Sequence, residues 1–190
     1  MSRFRQRASR TAAPAPMSDA GAACGRSRSR TKKLLDLLAG GARSLSDLPA
    51  ADEDWYVNLL WIDREKCLLL THAGTLFSVV MPGVRVGELR PIGPYVVAAI
   101  EMELRAENLP LDTFGRLDRD AVCLARTASR STLGFMTEMA FEIRHHVDYS
   151  GGLDHCETGV INHQLRRMLR NKGEYVLPIE LVAQMLAERD

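Results

Sequence analysis

The chain is poor in the residues that dictate chemistry by their spacing. Its four cysteines, Cys24, Cys67, Cys123 and Cys156, are scattered over 190 residues with no Cys-x-x-Cys pair. That spacing excludes a disulfide framework or a zinc knuckle and leaves free thiols in a reducing compartment as the economical reading. No apolar run approaches the roughly 18 residues that crossing a bilayer requires. The N-terminus also lacks the apolar segment of a secretory signal, so the expectation is a cytoplasmic protein with no membrane partner. Glycine-rich nucleotide turns are missing too: Gly83, Gly87 and Gly93 have neither the spacing nor the strand-to-helix setting of a Rossmann or P-loop turn. No cofactor is expected.

Net charge is close to zero, but it is unevenly spread. Of twenty-five basic and twenty-four acidic residues, residues 1–33 hold nine basic and one acidic, leaving sixteen basic and twenty-three acidic for residues 34–190. The mildly acidic remainder makes nucleic acid a permitted but unfavoured partner, because phosphate binding runs on Lys and Arg releasing counterions. Residues 1–30, with Arg3, Arg5, Arg7, Arg10, an Ala-Pro stretch and Arg26 to Arg30 alternating with serine, read as a disordered basic tail. Three roles stay open for it: an organelle transit peptide, a basic arm for nucleic acid or anionic lipid, or an upstream extension with Met17 as the alternative start.

Residues 31–190 read as a single globular α+β domain. Residues 55–81, WYVNLLWIDREKCLLLTHAGTLFSVVM, alternate in side-chain character as a three-stranded antiparallel meander does. Trp55, Val57, Leu59 and Trp61 share one face. Cys67 to Leu70 is apolar on both faces, which requires cover on both sides of the sheet. Asp63 to Lys66 reads as one solvated reversal, and Thr71 to Thr75 as a second in which Gly74 takes positive φ. A fourth strand is expected at 121–127. Four to five helices pack on the sheet: Lys32 to Ala39, Pro94 to Asn108, Ser131 to Tyr149, one from the Asp154/Glu157 capping-box pattern to Asn171, and Pro178 to Glu188.

Candidate sites are few. Arg126, Thr127, Ser129, Arg130, Ser131 and Thr132 precede a long helix. Its unpaired N–H groups, with two arginines and several hydroxyls, form an anion site for phosphate; ordinary capping by Ser129 or Ser131 is the competing reading. His145, His146, His155, Cys156 and His163 lack the spacing that puts ligands on one helix face, so no metal is expected. His72 reads as a residue of the Thr71 to Thr75 turn; the alternative, a general base, has no visible nucleophile paired with it. Glu101, Glu103 and Glu107 read as an exposed acidic face.

The segments TKKLLDLL, WIDREKCLLLTHAGTLFSVV and ARTASRSTLGFMTEM together resemble a family of uncharacterised bacterial proteins of this size. Its recurring features are a T-K-K-L-L helix start, a D-R-x-K-C hairpin, a T-L-F-S strand and an R-S-x-L-G-x-M helix start. The resemblance covers Thr31 to the C-terminus and implies no activity. Arg26 to Arg30 stands where the family has a short apolar strand, and Thr137-Glu138 where it often has Asn-Asp. The expected function is that of a non-catalytic interaction or regulatory protein with a protein partner; the alternative is a phosphate-ligand, nucleotide or RNA binder or enzyme using Arg126 to Thr132.

Overall fold

A computed structural model of the chain describes residues 2–6, 49–120, 122–126 and 129–189. The α+β expectation holds. Strands β2 (Trp55–Ile62), β3 (Glu65–His72) and β4 (Ser78–Met81) form the meander. They belong to a five-stranded antiparallel sheet completed by β1 (Ser2–Gln6) and β5 (Val122–Arg126), in the order β4-β3-β2-β1-β5. The fourth strand thus forms near its expected place.

Its neighbour is the surprise. β1 lies between β2 and β5, pairing Ser2 with Val57 on one side and Arg126 on the other, so Ser2–Gln6, at the start of the leader expected to be disordered, form a strand. A segment with one apolar residue in five gives no pattern to read. Its pairing is through backbone groups that any sequence carries, and its partners lie far along the chain. The rest of the leader and the Lys32 to Ala39 helix lie outside the described residues.

Both faces of the sheet are covered, as the doubly apolar β3 demands. Trp55, Val57, Leu68, Leu70 and Val79 form one core with α1 (Ile92–Ala106) and with Val182 of α4 (Pro178–Ala187). On the opposite face Tyr56, Leu60, Cys67, Leu69 and Val80 pack against α2 (Arg130–Tyr149) and α3 (Thr158–Leu165). Trp61 departs from its expected row: it is largely exposed, with Lys66 Nζ 5.4 Å from its ring centre.

Three details correct the sequence reading. The first reversal is a two-residue turn in which both Asp63 and Arg64 adopt positive φ (47° and 64°), the geometry whose twist matches paired strands. Its tip is anchored, not merely solvated, since Asp63 Oδ2 accepts from Leu153 N at 2.9 Å. In the second turn the left-handed residue is Leu76 (φ 57°), not Gly74; burial of the Leu76 side chain offsets the conformational cost. Gly74 serves close approach instead, because a Cβ there would stand 3.0 Å from the Asp52 carbonyl. Finally, the helix expected from Asp154 to Asn171 is interrupted. A 3-10 turn at Leu153–His155 precedes α3, and the hairpin β6 (Arg170–Asn171) and β7 (Tyr175–Val176) follows it. Gly173 at φ 95° makes that reversal possible, and the Asp154/Glu157 capping box does not form. α1 also starts earlier than expected, at Ile92, with Gly93 so close to the Arg119 carbonyl that a Cβ would collide with it.

Candidate functional site

The Arg126 to Thr132 segment resolves into a helix cap. Ser129 has the extended backbone of an N-cap residue, and its Oγ accepts from Thr132 N at 3.3 Å and from Thr132 Oγ1 at 3.1 Å. Ser131 Oγ lies 2.9 Å from the same oxygen, while Ser129 N donates to the Tyr56 hydroxyl at 3.2 Å. The hydroxyls are brought together as the anion reading required, but they satisfy one another. Arg130 is exposed and Arg126 closes β5; Thr127 lies outside the described residues. A cavity of about 120 Å³ does sit here, lined by Tyr56, Ser129, Ser131, Thr132 and Lys172 among others. The Lys172 ammonium is committed to the Gly74 carbonyl, at 2.6 Å.

The strongest electrostatic feature is one the sequence reading assigned to solvent. Glu103 is buried, and the Glu107 carboxylate is nearly so. Between them lies Arg166, 1 % exposed. Its Nη2 donates to Glu103 Oε2 at 2.9 Å and its Nε to Glu107 Oε1 at 2.9 Å. Its Nη1 reaches the Ser78 carbonyl at 3.3 Å, and the guanidinium lies 4.8 Å over the Phe77 ring. Asn162 joins the set: Oδ1 accepts from Val80 N at 2.7 Å, while Nδ2 donates to Val80 O at 3.2 Å and to Glu103 Oε1 at 2.8 Å. Arg167 and His163 add contacts to Glu107 from the surface side.

This cluster has a structural explanation. Among the described residues β4 is an edge strand, so the backbone groups on its outer side have no strand there to pair with. Asn162 and Arg166, one turn apart on and just beyond α3, take the place of that strand. Glu103 neutralises the guanidinium that the arrangement buries.

The histidines do not converge. Among the described residues no group of three or more His, Cys, Asp or Glu side chains is placed to hold a metal ion. His72 does meet a hydroxyl: Nδ1 lies 3.0 Å from Thr75 Oγ1, with the imidazole packed against Trp55 and Phe114 at centroid distances of 5.2 and 4.5 Å.

Two groups give an acid signature. Burial, then the charges of Lys172 and Arg189, pull His72 from 6.5 to about 3. The unfolded imidazole takes its proton first, so stability declines as pH falls from 6.5 towards 3. For Glu107, burial pushes the carboxyl up, but hydrogen bonds and charges from Arg167 and Arg166 outweigh it and hold it near 2 against an ordinary 4.5. Its stabilisation is complete above pH 4.5 and is lost as pH falls towards 2. Urea midpoints measured across pH should therefore show two limbs. His72→Phe should flatten the upper limb and Glu107→Gln the lower; a profile with both limbs intact in both variants would contradict these assignments.

No helix among the described residues is long and apolar enough to cross a membrane. Neither the curated proteins nor the solved structures contain a match to the chain. One family model does match, over residues 29–181, and its description is a domain of unknown function. That span covers the hairpin, strand and helix-start motifs on which the resemblance rested, and the chain belongs to this family, DUF6933.

Proposed function

We propose that the protein works by binding another protein, in a bacterial cytoplasm, and not by catalysis. The observation that carries this reading is the apolar groove between α2 and α3. It has a volume of about 260 Å³, and Ile143, Tyr149, Ile161, Leu165 and Met168 contribute to its walls. Tyr149 is 89 % exposed, and Phe141, two turns earlier on α2, is 66 % exposed. Aromatic side chains held on a rigid helix beside an apolar groove are the usual anchors of a protein interface. A photo-crosslinking residue at position 149 in cells should give discrete adducts that the same residue at the exposed Arg105 does not. Phe141→Ala with Tyr149→Ala should weaken the captured complex by more than about tenfold. Adducts equal at the two positions would refute the reading.

A second reading keeps the small cavity at the start of α2 as an anion site formed by Ser129, Ser131 and Thr132 with Lys172 nearby. Ser129→Ala should cost about 1 kcal/mol in urea denaturation through loss of the cap alone. If the cavity takes an anion, inorganic phosphate should raise the thermal midpoint of the wild type and not that of Ser129→Ala with Ser131→Ala. An unchanged wild-type midpoint leaves Ser129 a cap and nothing more.

A further inference from the structure

A cavity of about 500 Å³ beside His72 carries both signs of charge on its wall, Asp52, Glu53 and Glu188 against Arg189, and so selects no ligand. The outward face of α2 is more specific. Arg130 and Asp148 stand eighteen residues apart on it, which is five helical turns, so they point the same way. Gly134 and Phe141, four and eleven residues after Arg130, fall within about 40° of that direction, and all four residues are exposed. Two of these choices are unfavourable for a helix that stands alone. Arg130 at the first position and Asp148 in the last turn oppose the helix dipole, which favours acids at the N-terminus and cations at the C-terminus. Among the described residues neither forms an ion pair. Glycine inside a helix is destabilising relative to alanine, yet a Cβ at Gly134 would meet nothing beyond its own helix within 4 Å, so no contact within the described chain requires it.

Both oddities are accounted for when a second α2 packs on this face in the antiparallel direction. A two-fold axis near residue 139 sets Arg130 of each helix opposite Asp148 of the other, which makes two ion pairs from charges that are misplaced in the single chain. The same axis seats each Phe141 ring in the hole formed by Gly134, Thr137, Glu138 and Phe141 of the facing helix, the i, i+3, i+4, i+7 set that receives a knob. The missing side chain at Gly134 gives the ring its room. Glu138 approaches its own copy near the axis. That repulsion is offset from behind by Arg170, a buried guanidinium on which the charges of Glu138 and Glu142 act.

We propose that two copies of this chain associate through antiparallel α2 helices about a two-fold axis near residue 139. This rests on the reading of α2 as an interaction surface and names the partner there as a second copy. A two-fold contact uses each patch once, so assembly stops at the dimer. One helix pair is at the low end of specific interfaces, and the expected Kd is of the order of 10–100 μM.

Sedimentation of the full chain from ~1 to ~500 μM should show a monomer–dimer equilibrium. Arg130→Glu and Asp148→Arg each set like charges against one another across the axis and should weaken the dimer at least about tenfold, while the two combined restore the pairs in reverse and should return the affinity to within about threefold. At ~1 μM, where the monomer prevails, both single variants should unfold at or above the wild-type urea midpoint, because each new charge suits the helix dipole. Dissociation without destabilisation thus separates a lost interface from a lost fold. Gly134→Leu should likewise raise the midpoint and weaken the dimer at least about tenfold. A monomer at every concentration, single reversals that leave the dimer unchanged, or a double reversal that fails to restore it would each overturn the pairing. If the chain is monomeric and a crosslinker at position 149 captures a different protein, the dimer is wrong and the interface reading stands; if it captures nothing, both are wrong.

Discussion

Arg166→Ala is expected to destabilise the fold by about 3–5 kcal/mol, the range for breaking a buried ion pair from one side. Two losses combine. Glu103 would keep its buried carboxylate with Asn162 but without its cationic partner, and the Ser78 carbonyl on the open edge of β4 would lose its donor. An unpaired buried charge costs more than the pair ever contributed, because desolvation is no longer offset by attraction. Arg167, more exposed and bonded to Glu107 and to His163 on the surface side, is the internal control, and Arg167→Ala should cost no more than about 1 kcal/mol. The third variant separates charge from shape. Arg166→Met with Glu103→Gln removes the two most deeply buried charges together and should recover part of the stability lost in Arg166→Ala, since Glu107 keeps Arg167 as its cation. Chemical denaturation of the four proteins decides the matter. If Arg166→Ala unfolds at the wild-type midpoint, the edge-closing role of the network is wrong.

What could be read in advance follows the range of the interactions. The meander was legible because alternation is local and each strand carries its own record of which face is buried. Cys67 to Leu70, apolar throughout, even announced that both faces are covered, and helices do pack on both. The polar cluster was not legible in the same way, since Glu103 and Glu107 meet an arginine about sixty residues away. One signal was available. Glu103 falls three residues after Ile100 and seven after Val96, on the stripe that buries α1; a carboxylate on an apolar stripe demands a buried partner. Asn162 and Arg166 show the same pattern beside the buried Ile161 and Leu165. For the candidate sites, the hydroxyl run before α2 correctly marked a helix start, but spacing alone could not say whether the oxygens face a ligand or each other. The cavity beside His72 left no trace at all in local pattern. It is lined by four stretches far apart in sequence, around Asp52, His72, Phe114 and Gln184, and its only clue was a histidine in a turn.

Deleting residues 1–16, so that the chain starts at Met17, is expected to collapse the sheet, although nothing in the composition of the leader suggests that it matters. β1 makes three residue pairings with β2 and five with β5, and β5 has no other neighbour among the described residues. At roughly 1 kcal/mol net per ladder hydrogen bond, losing both ladders costs several kcal/mol. That is a large part of the 5–15 kcal/mol that holds a typical domain together. The deletion also uncovers the edge of β2 at Trp55–Val57, a stretch of apolar residues with open backbone groups, which is the composition that invites strand addition by a second molecule. The shortened chain should therefore scatter light on standing and unfold at markedly lower urea. A point variant tests the pairing itself without shortening the chain. Arg3 pairs with Tyr56 on one side and Ala125 on the other. Arg3→Pro removes a ladder donor and should cost about 1–3 kcal/mol, whereas Arg3→Thr keeps the donor and suits a strand, with a change within about 0.5 kcal/mol. Equal urea midpoints for the full chain, the deletion and Arg3→Pro would mean that β1 contributes nothing to the native sheet. A lowered midpoint in the deletion and in Arg3→Pro, with Arg3→Thr unaffected, can come only from backbone pairing, because loss of positive charge is common to both Arg3 variants.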